Sequence, residues 1–142
     1  MPQEIMRLVW TSIHGGMSNR ELRKLSPEVR SLSIRFHISG LVVVCDEDFF
    51  TIIEGSPLEI ITVLTRAVVD QRHHSVNVLF AGTTNQRIFE GWKILELEEL
   101  ARTKTPLAVE VKIAEFNPRL VQQDQLECMI AALAVAAKEL HI

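Results

Sequence analysis

Apolar and polar positions follow two rhythms along the chain. Ile5 to Ser12 (IMRLVWTS), Ile38 to Cys45 (ISGLVVVC), Phe49 to Glu54 (FFTIIE), Val76 to Phe80 and Trp92 to Leu97 (WKILEL) are short apolar runs rich in β-branched residues. Turn residues bound them, which predicts five strands. Leu41 to Val44 is apolar without a break, as expected of a central strand rather than an edge. Between the runs the period lengthens. Ser18-Asn19-Arg20-Glu21 has the S-x-x-E pattern of a capping box, and Leu22, Leu25, Val29 and Leu32 follow at helical spacing. Pro27 lies inside that helix and predicts a kink or a restart, with Ser26 as a new cap. Ser56-Pro57-Leu58-Glu59 opens a second helix with proline at its first position. Its apolar face is Ile60, Ile61, Leu64, Ala67 and Val68, and His73-His74 is read as marking its end.

The polar link Asp46-Glu47-Asp48 suits a tight hairpin between the second and third strands, and a loop with Gly82, Asn85 and Gly91 separates the fourth from the fifth. The resulting order, βαββαββ at short spacing, predicts an α+β, ferredoxin-like sandwich with two helices on one sheet face. Residues 1–100 form that unit. Residues 101–142 form a helical extension, interrupted at Pro106 and Pro118 and closed by a helix from Pro118 to about Leu140 with Asn117 as its cap. Alanines at 131, 132, 134, 136 and 137 make the last helix small-sided, and Cys128 to Ala137 is uncharged. Cys128, Ala131, Ala134 and Val135 are therefore the candidate surface for a protein partner or a second copy of the chain. Burial of both helix faces within the monomer is the competing expectation.

A length of 142 residues fits one domain with an extension, and a net charge of −3 argues against nucleic acid, whose phosphates need a concentrated positive face. The start Met1-Pro2-Gln3-Glu4 lacks the basic, then apolar pattern of a signal peptide. The longest apolar uncharged run falls short of the roughly 20 residues of a membrane span. A cytoplasmic protein is expected. Cys45 and Cys128 make neither a disulfide framework nor a four-ligand metal site. Adjacent His73 and His74 diverge, whereas zinc needs convergent ligands, so no metal is expected. Cys45 reads as a small core residue and Glu98-Glu99 as a solvated face. Gly15-Gly16 lacks both the P-loop and the dinucleotide fingerprint. No Ser, His, Cys and Asp arrangement recommends an activated nucleophile, and an enzyme is not expected.

Trp10 and Trp92 stand in predicted strands, where core packing is the ordinary role of an isolated tryptophan. Their surroundings say more. LVWTS at 8–12, ISGLVV at 38–43, FFTIIEG at 49–55, DQRHHSVNVLF at 70–80 and FEGWKILEL at 89–97 follow one another as in BLUF domains, the flavin-binding blue-light sensors. From Leu8 to about Leu97, two thirds of the chain, the sequence resembles that family. The resemblance implies the ferredoxin-like fold above, FAD as cofactor, and C-terminal helices that join partners.

The chain departs from the family where the chemistry lies. The family's first-strand tyrosine, two residues before a serine, is Trp10 here, with Ser12 kept. Its third-strand glutamine is Thr51, its flavin-rim asparagine is Ser33, and its fifth-strand methionine is Ile94, although Trp92 matches. Arg72 and His73 keep the basic turn that the resemblance assigns to the cofactor's phosphates. In the family, light moves an electron and a proton from the tyrosine, and the glutamine amide rearranges its hydrogen bonds. An amide both donates and accepts, whereas a threonine hydroxyl on a short branched stem cannot repeat the switch, and indole nitrogen only donates. Loss of two amide partners at about 1–3 kcal/mol each weakens flavin binding by roughly two to four orders of magnitude. The expected cofactor is none, or FAD if any, held by Trp10, Ser33, Thr51, Arg72 and His73. The expected function is a light-insensitive regulatory protein acting through protein association. The alternative is an FAD-binding photoreceptor with Trp10 as electron donor, and a small hydrolase ranks last.

Overall fold

A computed structural model describes residues 4–104 and 112–140. Five strands form one sheet: β1 (Ile5–Ile13), β2 (Ser39–Cys45), β3 (Asp48–Gly55), β4 (His74–Thr84) and β5 (Trp92–Glu96). Their spatial order is β4-β1-β3-β2-β5. All neighbours are antiparallel except β2 and β5, which run parallel. β2 and β3 are buried along their whole length, as the unbroken apolar run at Leu41 to Val44 requires of an interior strand. β4 pairs only with β1, and its residues are exposed or half-buried throughout. It is longer than its apolar stretch because Thr83 and Thr84 continue the pairing onto Met6 and Ile5.

Helix α1 (Asn19–Phe36) begins at the expected box: the Ser18 Oγ accepts from Glu21 N–H and the Glu21 carboxylate accepts from Ser18 N–H. It runs without interruption through Pro27. Both Pro27 and Arg23, whose carbonyl loses its usual partner, are exposed, so water can satisfy the freed group. Helix α2 (Pro57–Val69) starts at the Ser56 cap but ends at Val69, ahead of the histidines; His74 already belongs to β4. Leu97 opens a short helix, α3 (Leu97–Ala101), rather than closing β5, and a 3-10 turn follows at Ile113–Glu115.

The last helix, α4 (Gln123–Glu139), starts five residues later than Pro118. Asn117 does not cap it. Instead the Asn117 Oδ1 accepts from Arg119 N–H and its carbonyl accepts from Leu120 N–H, a proline-containing turn that ends before the helix begins. Arg119 then reaches back to the hairpin, where both carboxylate oxygens of Asp48 accept from it at 2.8 Å. The expected interruption at Pro106 lies outside the described residues.

Helices cover both sheet faces. α1 and α2 pack over Leu8, Trp10, Val42, Val44, Phe49, Ile53 and Trp92. On the other face α3, the 3-10 turn and α4 cover Val9, Leu41, Val43, Phe50, Ile52 and Leu95, with Ile130, Leu133 and Ala136 fully in that core. No described helix is long and apolar enough to cross a membrane. Gly40 is where the sheet demands glycine: a Cβ there would stand 1.9 Å from the Ile52 carbonyl oxygen.

Candidate functional site

Register puts Thr51 opposite Trp10 on one side and Val42 on the other, with Val42 in turn opposite Ile94. These four residues make one row across the sheet, on the face that α1 and α2 cover. The row is the floor of a cavity of about 140 Å³. Leu25, Glu28, Val29 and Leu32 of α1 and Val63, Arg66 and Ala67 of α2 wall it, with Ser12, Phe49, Asp70, Arg72, His73 and Trp92 also in the lining. Trp10, Thr51 and Ser12 are at most 4% exposed, so these floor and lining residues are buried.

Three residues that line this cavity each carry a buried polar atom with no hydrogen-bond partner among the described residues: Ser12 Oγ, Trp92 Nε1 and His73 Nδ1. Unpartnered buried groups cost about 1–3 kcal/mol each and are rare, so three on residues around one space concentrate that cost here. The other ring nitrogen of His73, Nε2, is bonded to the Ala67 carbonyl at the end of α2.

At the mouth, Arg72 is fully engaged. It donates to both carboxylate oxygens of Glu28 on α1, at 3.0 and 2.8 Å, and to both of Asp70, down to 2.6 Å. This fork raises the Arg72 pKa above its ordinary value, chiefly through the hydrogen bonds to Asp70 and then Glu28. The same hydrogen bonds lower that of Asp70. The guanidinium expected to meet phosphates is thus committed to clamping α1 against the turn after α2.

Ser33 does not line the cavity. Its hydroxyl donates to the Ile38 carbonyl at 2.6 Å, and its own carbonyl accepts from Ile38 N–H, fastening the end of α1 to the start of β2. His74 points away from His73, to the Ser75 hydroxyl. Among the described residues no group of three or more His, Cys, Asp or Glu could hold a metal. Cys45 is buried beside the acidic hairpin, and burial, before the charges of Asp48 and Asp46, pushes its thiol up to about 12.

Two side chains that organise the site escaped the sequence reading. Glu54 is wholly buried, yet it accepts from Arg7, from the Ser39 hydroxyl and from Ile88 and Phe89 N–H. It pins the loop that leads into Trp92. A buried acid ending an apolar strand, with Arg7 and Arg87 elsewhere, was the available signal. His14 accepts from Gly16 and Met17 N–H through Nδ1, and its Nε2 donates to the Asp46 carbonyl, tying the β1–α1 loop to the hairpin.

The cavity as it stands does not fit an isoalloxazine. A space of roughly 150 Å³ holds one benzene, and sites for drug-sized ligands run to about 300–1,000 Å³. Three fused rings would have to displace the Trp10 indole or part α1 from α2.

Sheet order and the helix pair on one face define a ferredoxin-like α+β sandwich. The chain belongs to the BLUF family, sensors of blue light using FAD, whose family model matches residues 5–95. Among solved structures, BlsA in its photo-activated state is similar at a TM-score of 0.75 and 21% identity, covering 92% of this chain and 95% of that one. BlrB in its dark state gives a TM-score of 0.75 at 17% identity, over 97% of this chain and 99% of that one. BlrP1 of Klebsiella pneumoniae, in a calcium and cyclic di-GMP complex, gives 0.65 at 23% identity, over 89% of this chain but 34% of that one. At these identities the likeness shows the fold. No curated protein matches the chain.

Proposed function

We propose that this BLUF-family chain is a light-insensitive signalling or regulatory module that acts by association with protein, either a second copy or a signalling partner. The observation that carries the reading is the cavity itself: about 140 Å³, floored by Trp10 and Thr51 where the family resemblance expects tyrosine and glutamine. The clamp on Arg72 and the placement of Ser33 outside the lining support it, since both withdraw groups that a flavin would need.

The association surface on α4 is narrower than its composition suggests. Ala134 is buried, while Cys128 and Val135 are exposed and Ala131 is half-buried, a line at i, i+3 and i+7. Ala131 and Val135 border a groove whose other bank is Arg87 and Ile88 of the β4–β5 loop, while Cys128 lies outside it.

One observation favours a second reading, a flavin photoreceptor with altered chemistry: Trp10 borders the cavity, where it could serve as electron donor. A visible absorption spectrum of the purified chain decides between them. A colourless protein, unchanged by blue light and after incubation with FAD, is expected. A yellow protein with a reversible light-induced shift overturns the proposal.

A further inference from the structure

The outer surface of α1 and α2, turned away from the sheet, has two characters side by side. On α2, Leu58, Ile61, Val68 and Val69 are between 55% and 76% exposed. With Thr65 they follow one another at i, i+3, i+7, i+10 and i+11, on the side of the helix opposite the buried Ile60 and Val63. The threonines leave this stripe apolar. The Thr65 hydroxyl donates back to the Ile61 carbonyl at 2.8 Å, and the Thr62 hydroxyl to the Leu58 carbonyl at 2.9 Å. Both hydroxyls are thus spent on the helix's own backbone, and the stripe faces solvent with methyl groups.

Helix α1 supplies charge. It carries five cations, Arg20, Arg23, Lys24, Arg30 and Arg35, against Glu21 and Glu28, in a chain whose net charge is −3. Both acids are occupied, Glu21 in the capping box and Glu28 by Arg72. Arg20, Lys24 and Ile34 lie on the side of α1 away from Val29, and all three are exposed. The two outer surfaces meet at the Phe36 ring, where the guanidiniums of Arg35 and Arg66 stand 5.1 and 5.2 Å from the centroid. Exposed apolar area beside a cationic face has the chemistry of a domain that settles on negatively charged lipid. Antiparallel pairing of α2 with a second copy would instead stack the cationic α1 faces on each other, and like charges repel. We propose that the outer face of α1 and α2 docks the chain on an anionic lipid surface. The α2 stripe enters the headgroup boundary, and the α1 cations meet the lipid phosphates and carboxylates. Such a peripheral contact needs no spanning helix.

The test sediments the full chain with vesicles of phosphatidylcholine alone and of equimolar phosphatidylserine and phosphatidylcholine. Binding to the mixed vesicles should be about tenfold or more tighter than to phosphatidylcholine. It should weaken as salt rises to about 1 M, where charges are screened beyond roughly 3 Å. Arg20→Gln with Lys24→Gln should weaken binding by about 10- to 30-fold, at roughly fivefold per cation. Leu58→Ser with Val69→Ser should weaken it by about tenfold or more. Leu120→Ser removes an apolar side chain of similar exposure on the α4 side and should bind like the parent. Circular dichroism checks that each variant is folded, and the α1 pair decides the matter if the α2 pair does not fold. Equal binding to the two vesicle types, or binding to neither, overturns the inference. So does binding that folded α1 or α2 variants leave intact. Lipid-free self-association that Leu58→Ser with Val69→Ser abolishes would assign the face to a second copy, and would overturn it too.

Discussion

Cys45 and Cys128 occupy opposite surroundings. Cys45 closes β2 within the sheet core, its thiol pushed up to about 12 by burial, whereas Cys128 lies on the open side of α4. A thiol that ionises only far above neutrality is a poor nucleophile. At pH 8 a disulfide reagent should therefore modify one thiol per native chain and two after unfolding. Cys128→Ser should abolish the native reaction. Prompt reaction of both thiols in the native protein would contradict the burial of Cys45. Side-chain identity alone foretold this role for Cys45, because a small sulfur residue at the end of an apolar strand has an ordinary place in a core. Trp10 and Thr51 were legible only through the family resemblance, which marks both positions, and the register then makes them neighbours. Arg72 and Ser33 were not. Their partners Glu28 and Ile38 are set by how α1 lies against its neighbours, which no spacing within a segment records.

At the scale of the element, α1 is the instructive case. A proline in a helix interior forfeits one backbone hydrogen bond and crowds the preceding turn, at a cost of about 3 kcal/mol. Here the cost is met by a complete capping box at one end and by a His37 left-handed cap with the Ser33 bonds at the other. Pro27→Ala should stabilise the chain by about 1–2 kcal/mol, since the recovered bond is partly offset by a freer unfolded chain. A raised midpoint in urea, at unchanged slope, is the measurement. An unchanged or lowered midpoint would mean that the helix is better served by the proline's rigidity. The start of α4 shows the reverse failing of local rules. Asn117 and Pro118 have the composition of a helix entry, but Arg119 is drawn to Asp48 at the far hairpin, and that long-range pair holds the turn apart from the helix. The existence of the five strands and of α1, α2 and α4 followed from period and caps, while the short α3 and the 3-10 turn did not. The ends that moved were those fixed by tertiary partners.

Across the whole molecule the sheet is an interior wall with a helical cover on each side. α4 belongs to that cover: Leu133 is 0% exposed beneath it, in one core with Val9, Leu41 and Phe50. Leu133→Ala should cost about 2–5 kcal/mol of stability, the range for emptying a filled core position. Val135→Glu, at a site 37% exposed, should leave the melting temperature nearly unchanged while shifting any self-associated species toward monomer on a sizing column. Equal destabilisation by the two would mean that α4 has no outward side to offer a partner.

Glu54 gives the two sides a common fate. The loop it fastens sends Phe89 into the layer beneath α4 and, three positions later, Trp92 into the layer beneath α1 and α2. That short span acts as a bolt through the wall, held stiff by a carboxylate with no slack left in its bonding. The indole at one end and the phenyl ring at the other are therefore anchored by the same carboxylate, and Glu54→Gln should loosen both layers together.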